Sequence, residues 1–264
     1  MFMPYAVVRH KAKKKTLEYY TVGAKQLSRS AIGRARINEI SEYDVAGYIE
    51  EHESFSPSGI NQALRTLRRA LRLAFQWRKI QRIPVIKLCP NENMRDRVVS
   101  FEEEKRYLEA ATEPWRTMAI IMIELGLRPG EVFRLKVEDI DLKGACLRVT
   151  SGKSQAVKRD LPMTAAVYDA VAGYLKRTGK RKSGWLFESP KFKGRHYSQK
   201  LAHDWHHAAL KKAGLESFEP YCLRHTTLTR LAKHCRNPYA VAKAAGHSSI
   251  VMTYRYIHPE KEEI

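Results

Sequence analysis

Hydrophobic positions in the first third of the chain recur at helical spacing. In SPSGINQALRTLRRALRLAFQWRKI, residues 56–80, Ile60, Leu64, Leu67, Leu71 and Phe75 share one face and predict an amphipathic helix whose stripe enters a core. Arg65, Arg68, Arg69 and Arg72 stand at i, i+3, i+4 and i+7 of the same segment and make a second stripe. Four arginines suit either a solvated face or a face laid against phosphates. No acid interleaves them, whereas a merely soluble face mixes signs, so the phosphate-contacting reading is preferred. Upstream, SEYDVAGYIEE predicts a short helix with Ser41 as N-cap. Downstream, Pro84, Pro90 and the polar NENMRDR read as a linker, and SFEEEKRYLEAA opens a new helix with Ser100 and Glu103 at capping-box spacing. The pattern divides the chain into a helical domain with linker, 1–96, and a second domain, 97–264.

In that second domain EPWRTMAIIMIEL predicts a helix that stops at Gly126, a residue suited to a left-handed C-terminal cap, and Pro129 suits the first turn of the next. Arg128 is held on the tight connection between them. Two β-rich runs follow, ACLRVT (145–150) and AVKRDLPM (156–163), joined by SGKSQ as a hairpin with Lys153 at its turn. TAAVYDAVAGYLKRTG, SQKLAHDWHHAALKKAGL and LRHTTLTRLAKHC then read as helices. The fold class expected is mainly α with a small antiparallel β-sheet.

Charge narrows the function. Lys and Arg number 48 against 28 Asp and Glu in 264 residues, a net +20 that attracts polyanions, nucleic acid first among them. Residues 1–96 carry 18 basic and 9 acidic side chains, net +9, which leaves +11 for the remainder. Two cationic domains on a flexible link suit a clamp around double-stranded DNA better than a basic tail on a neutral body does. No apolar run spans a bilayer and no signal-type core opens the chain, so a soluble, cytoplasmic, nucleoid-associated protein is expected. Cys89, Cys146, Cys222 and Cys235 lie far apart without C-x-x-C spacing and are expected as reduced thiols. His203, His206 and His207 share one helix; with no cysteine or carboxylate to complete a metal site, they are expected on the surface or facing DNA.

Taken singly, Arg128, Lys153, Arg224, His247 and Tyr256 each have an ordinary structural explanation. Their order changes that. The stretches ELGLRPGEVFRL (124–135), VTSGKSQAVKRDLPM (149–163), YCLRHTTLTRL (221–231) and AGHSSIVMTYRYIH (245–258) resemble the tyrosine recombinase, or phage integrase, family. That pattern runs from an arginine in G-L-R-x-G-E through a hairpin lysine, H-x-x-R and G-H to a tyrosine nine residues after that histidine. Tyr256 fills the last slot and Tyr254 does not. Tyr221 stands where the family most often has histidine; a phenol accepts a proton less readily than an imidazole near neutral pH, though it still donates to phosphate. Glu131 matches the G-E element and is expected to hold an arginine, and His225 is expected to be buried and structural.

The resemblance implies a site-specific recombinase that cleaves and rejoins DNA through a 3′-phosphotyrosine, with no metal, cofactor or ATP. Attack on a phosphodiester crowds charge onto anionic oxygens, so fixed cations must surround one phosphate. Arg128 and Arg224 supply multidentate donors, His247 another, and Lys153 the proton for the leaving 5′-oxygen. Tyr256 attacks phosphorus. The resemblance also implies an N-terminal core-binding domain, a tetramer on paired sites and possible accessory DNA-bending factors. Eight residues follow Tyr256, so docking on a neighbour is expected to be weaker or to use another contact; no extra N-terminal arm-binding domain is apparent. Two rival readings share the charge: a non-catalytic helix-turn-helix regulator built on NPYAVAKAAGHSSIVMTYRY, and a type IB topoisomerase-like enzyme. The first leaves Arg128, Lys153 and Arg224 without a common purpose.

Overall fold

The computed structural model describes residues 2–11, 13–92, 97–151, 158–179, 182–235 and 237–257. The chain divides into two compact units, Met1–Met94 and Arg95–Ile264.

The first unit is helical: α1 (Phe2–Arg9), α2 (Lys14–Ser28), α3 (Ala31–Arg34), α4 (Glu42–Glu51) and α5 (Pro57–Gln76). Ser41 and Asp44 close a capping box on α4, and Ser56 accepts from the Gly59 amide at the start of α5, with Pro57 in the first turn. Ile60, Leu64, Leu67 and Leu71 pack against Ile32, Val45 and Tyr48, each burial contributing about 1.5–3 kcal/mol. Phe75 departs from the expected stripe and is 47% exposed, with Ala74 taking the inward position. One residue is 100° of helix, and beyond Leu71 the inward line falls on i+3 rather than i+4. Gly23 lets α2 approach α5, since a Cβ there would stand 2.2 Å from Thr66 Oγ1.

The segment after α5 folds back on that helix. The Asn61 side chain both donates to the Cys89 carbonyl and accepts from the Cys89 amide, at 2.9 and 2.8 Å. Arg65 holds both Glu92 oxygens at 2.6 Å, and Arg68 donates to the Ile86 carbonyl. Half of the arginine stripe therefore grips its own chain.

The second unit contains α6 (Phe101–Ala110), α7 (Trp115–Leu125), α8 (Pro129–Val132), β1 (Ile140–Asp141), β2 (Cys146–Val149), β3 (Arg159–Pro162), α9 (Ala165–Arg177), α10 (Gln199–Ala213), α11 (Tyr221–His234), α12 (Pro238–Ala245) and α13 (Val251–Tyr254). The sheet is antiparallel in the order β1-β2-β3, with Cys146 opposite Pro162 and Val149 opposite Arg159. The hairpin is thus present, while its turn, including Lys153, lies outside the described residues. β1 adds a strand that two residues could not announce by alternation. Helix α7 is apolar nearly all round because α9, α10 and α11 pack around it, burying Trp115, Met118, Ile121 and Met122 completely.

His206 corrects the expectation of a surface histidine. It is fully buried, with Nδ1 2.6 Å from the Tyr107 hydroxyl and Nε2 facing the Phe218 carbonyl. Trp115 donates to the same Tyr107 oxygen at 2.6 Å, so the phenol donates onward to Nδ1 and the ring proton sits on Nε2. Burial lowers the His206 pKa to about 4 and keeps the ring neutral. His203, earlier on α10, is exposed, and its Nε2 lies 2.9 Å from that of His207. Among the described residues no group of three or more His, Cys, Asp or Glu could hold a metal, and no helix is long and apolar enough to cross a membrane. All four cysteines are free.

Candidate active site

Two left-handed glycines direct the site. Gly126 (φ 63°) ends α7 and turns the chain so that Arg128 immediately precedes α8. Gly246 (φ 61°) ends α12, its amide and that of His247 both returning to the last turn, which fixes the direction in which His247 leaves the helix.

Arg224, on the first turn of α11, occupies the centre and is fully buried. Its Nη1 donates to the Gly126 carbonyl at 2.7 Å; its Nη2 donates to the Ala245 carbonyl at 2.7 Å and to His247 Nε2 at 3.1 Å. Nε has no hydrogen-bond partner among the described residues. Burial, then the neighbouring Arg128 charge, pulls its pKa downward. Arg128 donates from Nη1 to Glu131 at 2.7 Å and to the Ala245 carbonyl at 3.3 Å, and from Nη2 to the Gly246 carbonyl at 3.2 Å; a quarter of its side chain reaches solvent.

Glu131 is 4% exposed and holds the arginines in place, as its motif suggested. Burial pushes its pKa up, but the Arg159 charge and the hydrogen bonds from Arg128 outweigh that, so it stays ionised below the usual range. Arg159, at the start of β3, reaches Glu131 Oε2 at 3.0 Å and the Ala244 carbonyl at 2.8 Å. The motif pattern does not include Arg159. Its signal in the sequence is phase: it alternates with the buried Leu161, which puts a guanidinium on the inward face of the strand.

His247 is buried and neutral. Burial, reinforced by Arg224, Arg128 and Arg159, lowers its pKa to about 4. An arginine can only donate, so Nε2 accepts from Arg224 and the proton is on Nδ1, which gives it to Thr253 Oγ1 at 2.8 Å. The expected phosphate donor is here an acceptor from its neighbour, and it donates elsewhere only if that contact yields.

The two tyrosines separate cleanly. Tyr254 is 57% exposed, whereas Tyr256 is 2% exposed and packs on Leu228 and Ala245. Its ring stacks on His247 at 5.9 Å and 15°, and meets His225 at 5.0 Å. Burial, the adjacent Tyr221 phenol and the hydrogen bond between the two push the Tyr256 pKa up to about 12. Arg128, Arg224, His247, Tyr221 and Tyr256 thus come together, and His225 is buried beside them. A basic cleft of about 1250 Å³ runs between the β2–β3 face and α12, with Arg148, Lys158, Lys243 and His247 along it.

A model of the phage integrase family matches residues 97–263. The chain belongs to the phage integrase family. It is 26% identical over 195 residues to the integrase of Salmonella phage P22, covering 69% of this chain and 49% of that protein. It is 28% identical over 164 residues to the tyrosine recombinase XerC of Bifidobacterium longum, covering 58% and 46%. This integrase-family chain spans about half the length of these curated relatives. Its fold is similar to that of the Tn1549 transposon integrase in complex with transposon right end DNA, with a TM-score of 0.84 over 99% of this chain and 95% of that one at 21% identity. It is also similar to a lambda integrase dimer bound to a core site, TM-score 0.72 over 96% and 91% at 20% identity. At such identities the likeness shows the two-domain fold.

Proposed function

We propose that this integrase-family protein is a site-specific recombinase that cuts and rejoins DNA through a phosphotyrosine at Tyr256. The observation that carries the reading is the convergence of Arg128, Arg224 and His247 beside one buried tyrosine, with Tyr254 turned to solvent. Three guanidinium groups face a single carboxylate there, and the other acceptors described for them are backbone carbonyls and the neutral His247 ring, which leaves positive charge for a phosphate whose oxygens gain charge on attack. Arg128 and Arg224 bind the non-bridging oxygens and Tyr256 attacks phosphorus, releasing the 5′-oxygen with a proton from Lys153. At pH 7 a phenol with its pKa near 12 is ionised in roughly one molecule in 10⁵, so proton removal accompanies attack rather than preceding it. Tyr221, whose phenol adjoins that of Tyr256, can relay that proton by taking it as it releases its own hydroxyl proton to water.

Residues 1–96 act as the core-binding domain, closing with 97–264 around the duplex, and Arg69 and Arg72 contact phosphates. Relatives described on DNA support double-stranded DNA as the partner; a tetramer on paired sites is the working assembly. The helix-turn-helix alternative loses ground because α13 is a single turn, too short for a recognition helix. A nicked suicide substrate tests the proposal: in EDTA the unaltered protein and Tyr254→Phe form a covalent adduct, and Tyr256→Phe does not. Adduct formation by Tyr256→Phe refutes it.

A further inference from the structure

We propose that Arg159 is a positioning residue of the recombinase site, keeping Glu131 occupied so that Arg224 stays free to bind the scissile phosphate. The inference rests on the proposed function and adds a residue outside the motif pattern.

The geometry is a two-point bridge. The Arg159 side chain is 5% exposed, with Nε on the Ala244 carbonyl at 2.8 Å and Nη2 on Glu131 Oε2 at 3.0 Å. One acceptor belongs to α8, beside Arg128; the other lies in the last turn of α12, three residues before His247. Strand β3 is thereby pinned to both walls of the site.

The carbonyls of residues 244, 245 and 246 are among the C-terminal acceptors that a helix cannot satisfy internally, and they carry the negative end of its dipole. Each takes an arginine: Ala244 takes Arg159, Ala245 takes Arg224 at 2.7 Å and Arg128 at 3.3 Å, and Gly246 takes Arg128. Glu131 completes the arrangement from the other side. Oε1 takes Arg128 at 2.7 Å and Oε2 takes Arg159 at 3.0 Å, while Arg224 Nη1 stands off at 4.0 Å. Without Arg159, Oε2 has an unused lone pair one small rotation from Arg224. A carboxylate that captures Arg224 competes directly with phosphate for the same donors. Arg159 prevents that capture and, through the Ala244 carbonyl, steadies the turn that aims His247. Lysine keeps the charge but cannot span both acceptors with one ammonium.

The test measures single-turnover cleavage of a nicked duplex, DNA affinity, and the His247 titration by NMR in Arg159→Gln and Arg159→Lys. In Arg159→Gln, cleavage falls on the order of tenfold to a hundredfold, as for a misplaced catalytic group. DNA affinity stays within about threefold, since the side chain is buried. The histidine titrates at higher pH than in the unaltered protein, because a nearby positive charge is gone. Arg159→Lys leaves the titration in place yet still slows cleavage, a combination that a merely structural role does not produce. A substrate with sulfur at the leaving 5′ position, which departs without a proton, restores neither variant. Cleavage by Arg159→Lys at the parent rate, or rescue by sulfur, overturns the proposal; if Arg159→Gln does not fold, Arg159→Lys alone decides between the same two outcomes. If the unaltered protein forms no adduct, the recombinase reading fails instead. The His247 titration still judges the placement of Arg159, and an unmoved titration in Arg159→Gln contradicts it.

Discussion

The arginines of α5 and those of the site show two uses of one side chain. Arg65 meets Glu92 one to one, bidentate, at 2.6 Å, and its charge is spent inside the first unit. In the second unit Arg128 and Arg159 share one carboxylate with Arg224 standing 4.0 Å from it, and the three also lean on carbonyls and, for Arg224, a neutral imidazole, which orient a guanidinium without neutralising it. A positive field survives where acceptors are dipoles and vanishes where they are anions. That difference separates a surface staple from a preorganised anion site.

The sharpest way to break the comparison is Arg224→Lys. It keeps a charge but loses the fork that bonds the Gly126 and Ala245 carbonyls and is proposed to bind the phosphate, and cleavage should fall about 10²–10³-fold with DNA affinity largely kept. A loss under threefold in single-turnover cleavage means that the buried fork is not the phosphate ligand.

A second prediction reads the cost of keeping neutral imidazoles inside. His206 and His247 have folded pKa values near 4 against an ordinary value near 6.5. Both rings bind a proton more readily once unfolded, so their contribution is full above about pH 6.5 and is lost as the pH falls toward 4. Urea unfolding at pH 5 should show about 2 kcal/mol less stability per histidine than at pH 7. Equal stability at the two values excludes neutral, buried rings.

The smallest effect concerns the stripe. Replacing Arg69 and Arg72 with Ala should reduce the slope of log affinity against log salt by about 2, one for each lost phosphate contact. Arg65→Ala should change it less, because Glu92 already compensates that charge. A larger change for Arg65 reverses the ranking.

Much of this was legible in the chain itself, for reasons that are local. Ser41, Ser100 and Gly126 mark helix ends by chemistry that acts within three or four residues, and each marks a real boundary. Spacing from His247 singles out Tyr256 in the sequence, and in the fold Tyr256 is buried while Tyr254 is exposed. What escaped was long-range. Glu92 is 27 residues from Arg65, and Tyr107 is 99 from His206, so neither partner shows in a window of sequence. Phe75 failed because helical phase drifts at the end of a long stripe. Arg159 was visible only as an arginine in step with an inward leucine, a pattern that asks for a buried partner without saying which.

Tyr256 as the attacking group is the central claim, and three phenols bear on it: Tyr256, its hydrogen-bonded neighbour Tyr221 and exposed Tyr254. Tryptic digestion of the DNA adduct followed by mass spectrometry assigns the nucleotide to one of them, because cleavage after Arg255 parts Tyr254 from Tyr256. The nucleotide is predicted on Tyr256, in the peptide that begins with that residue; a nucleotide on Tyr221 or Tyr254 contradicts the claim.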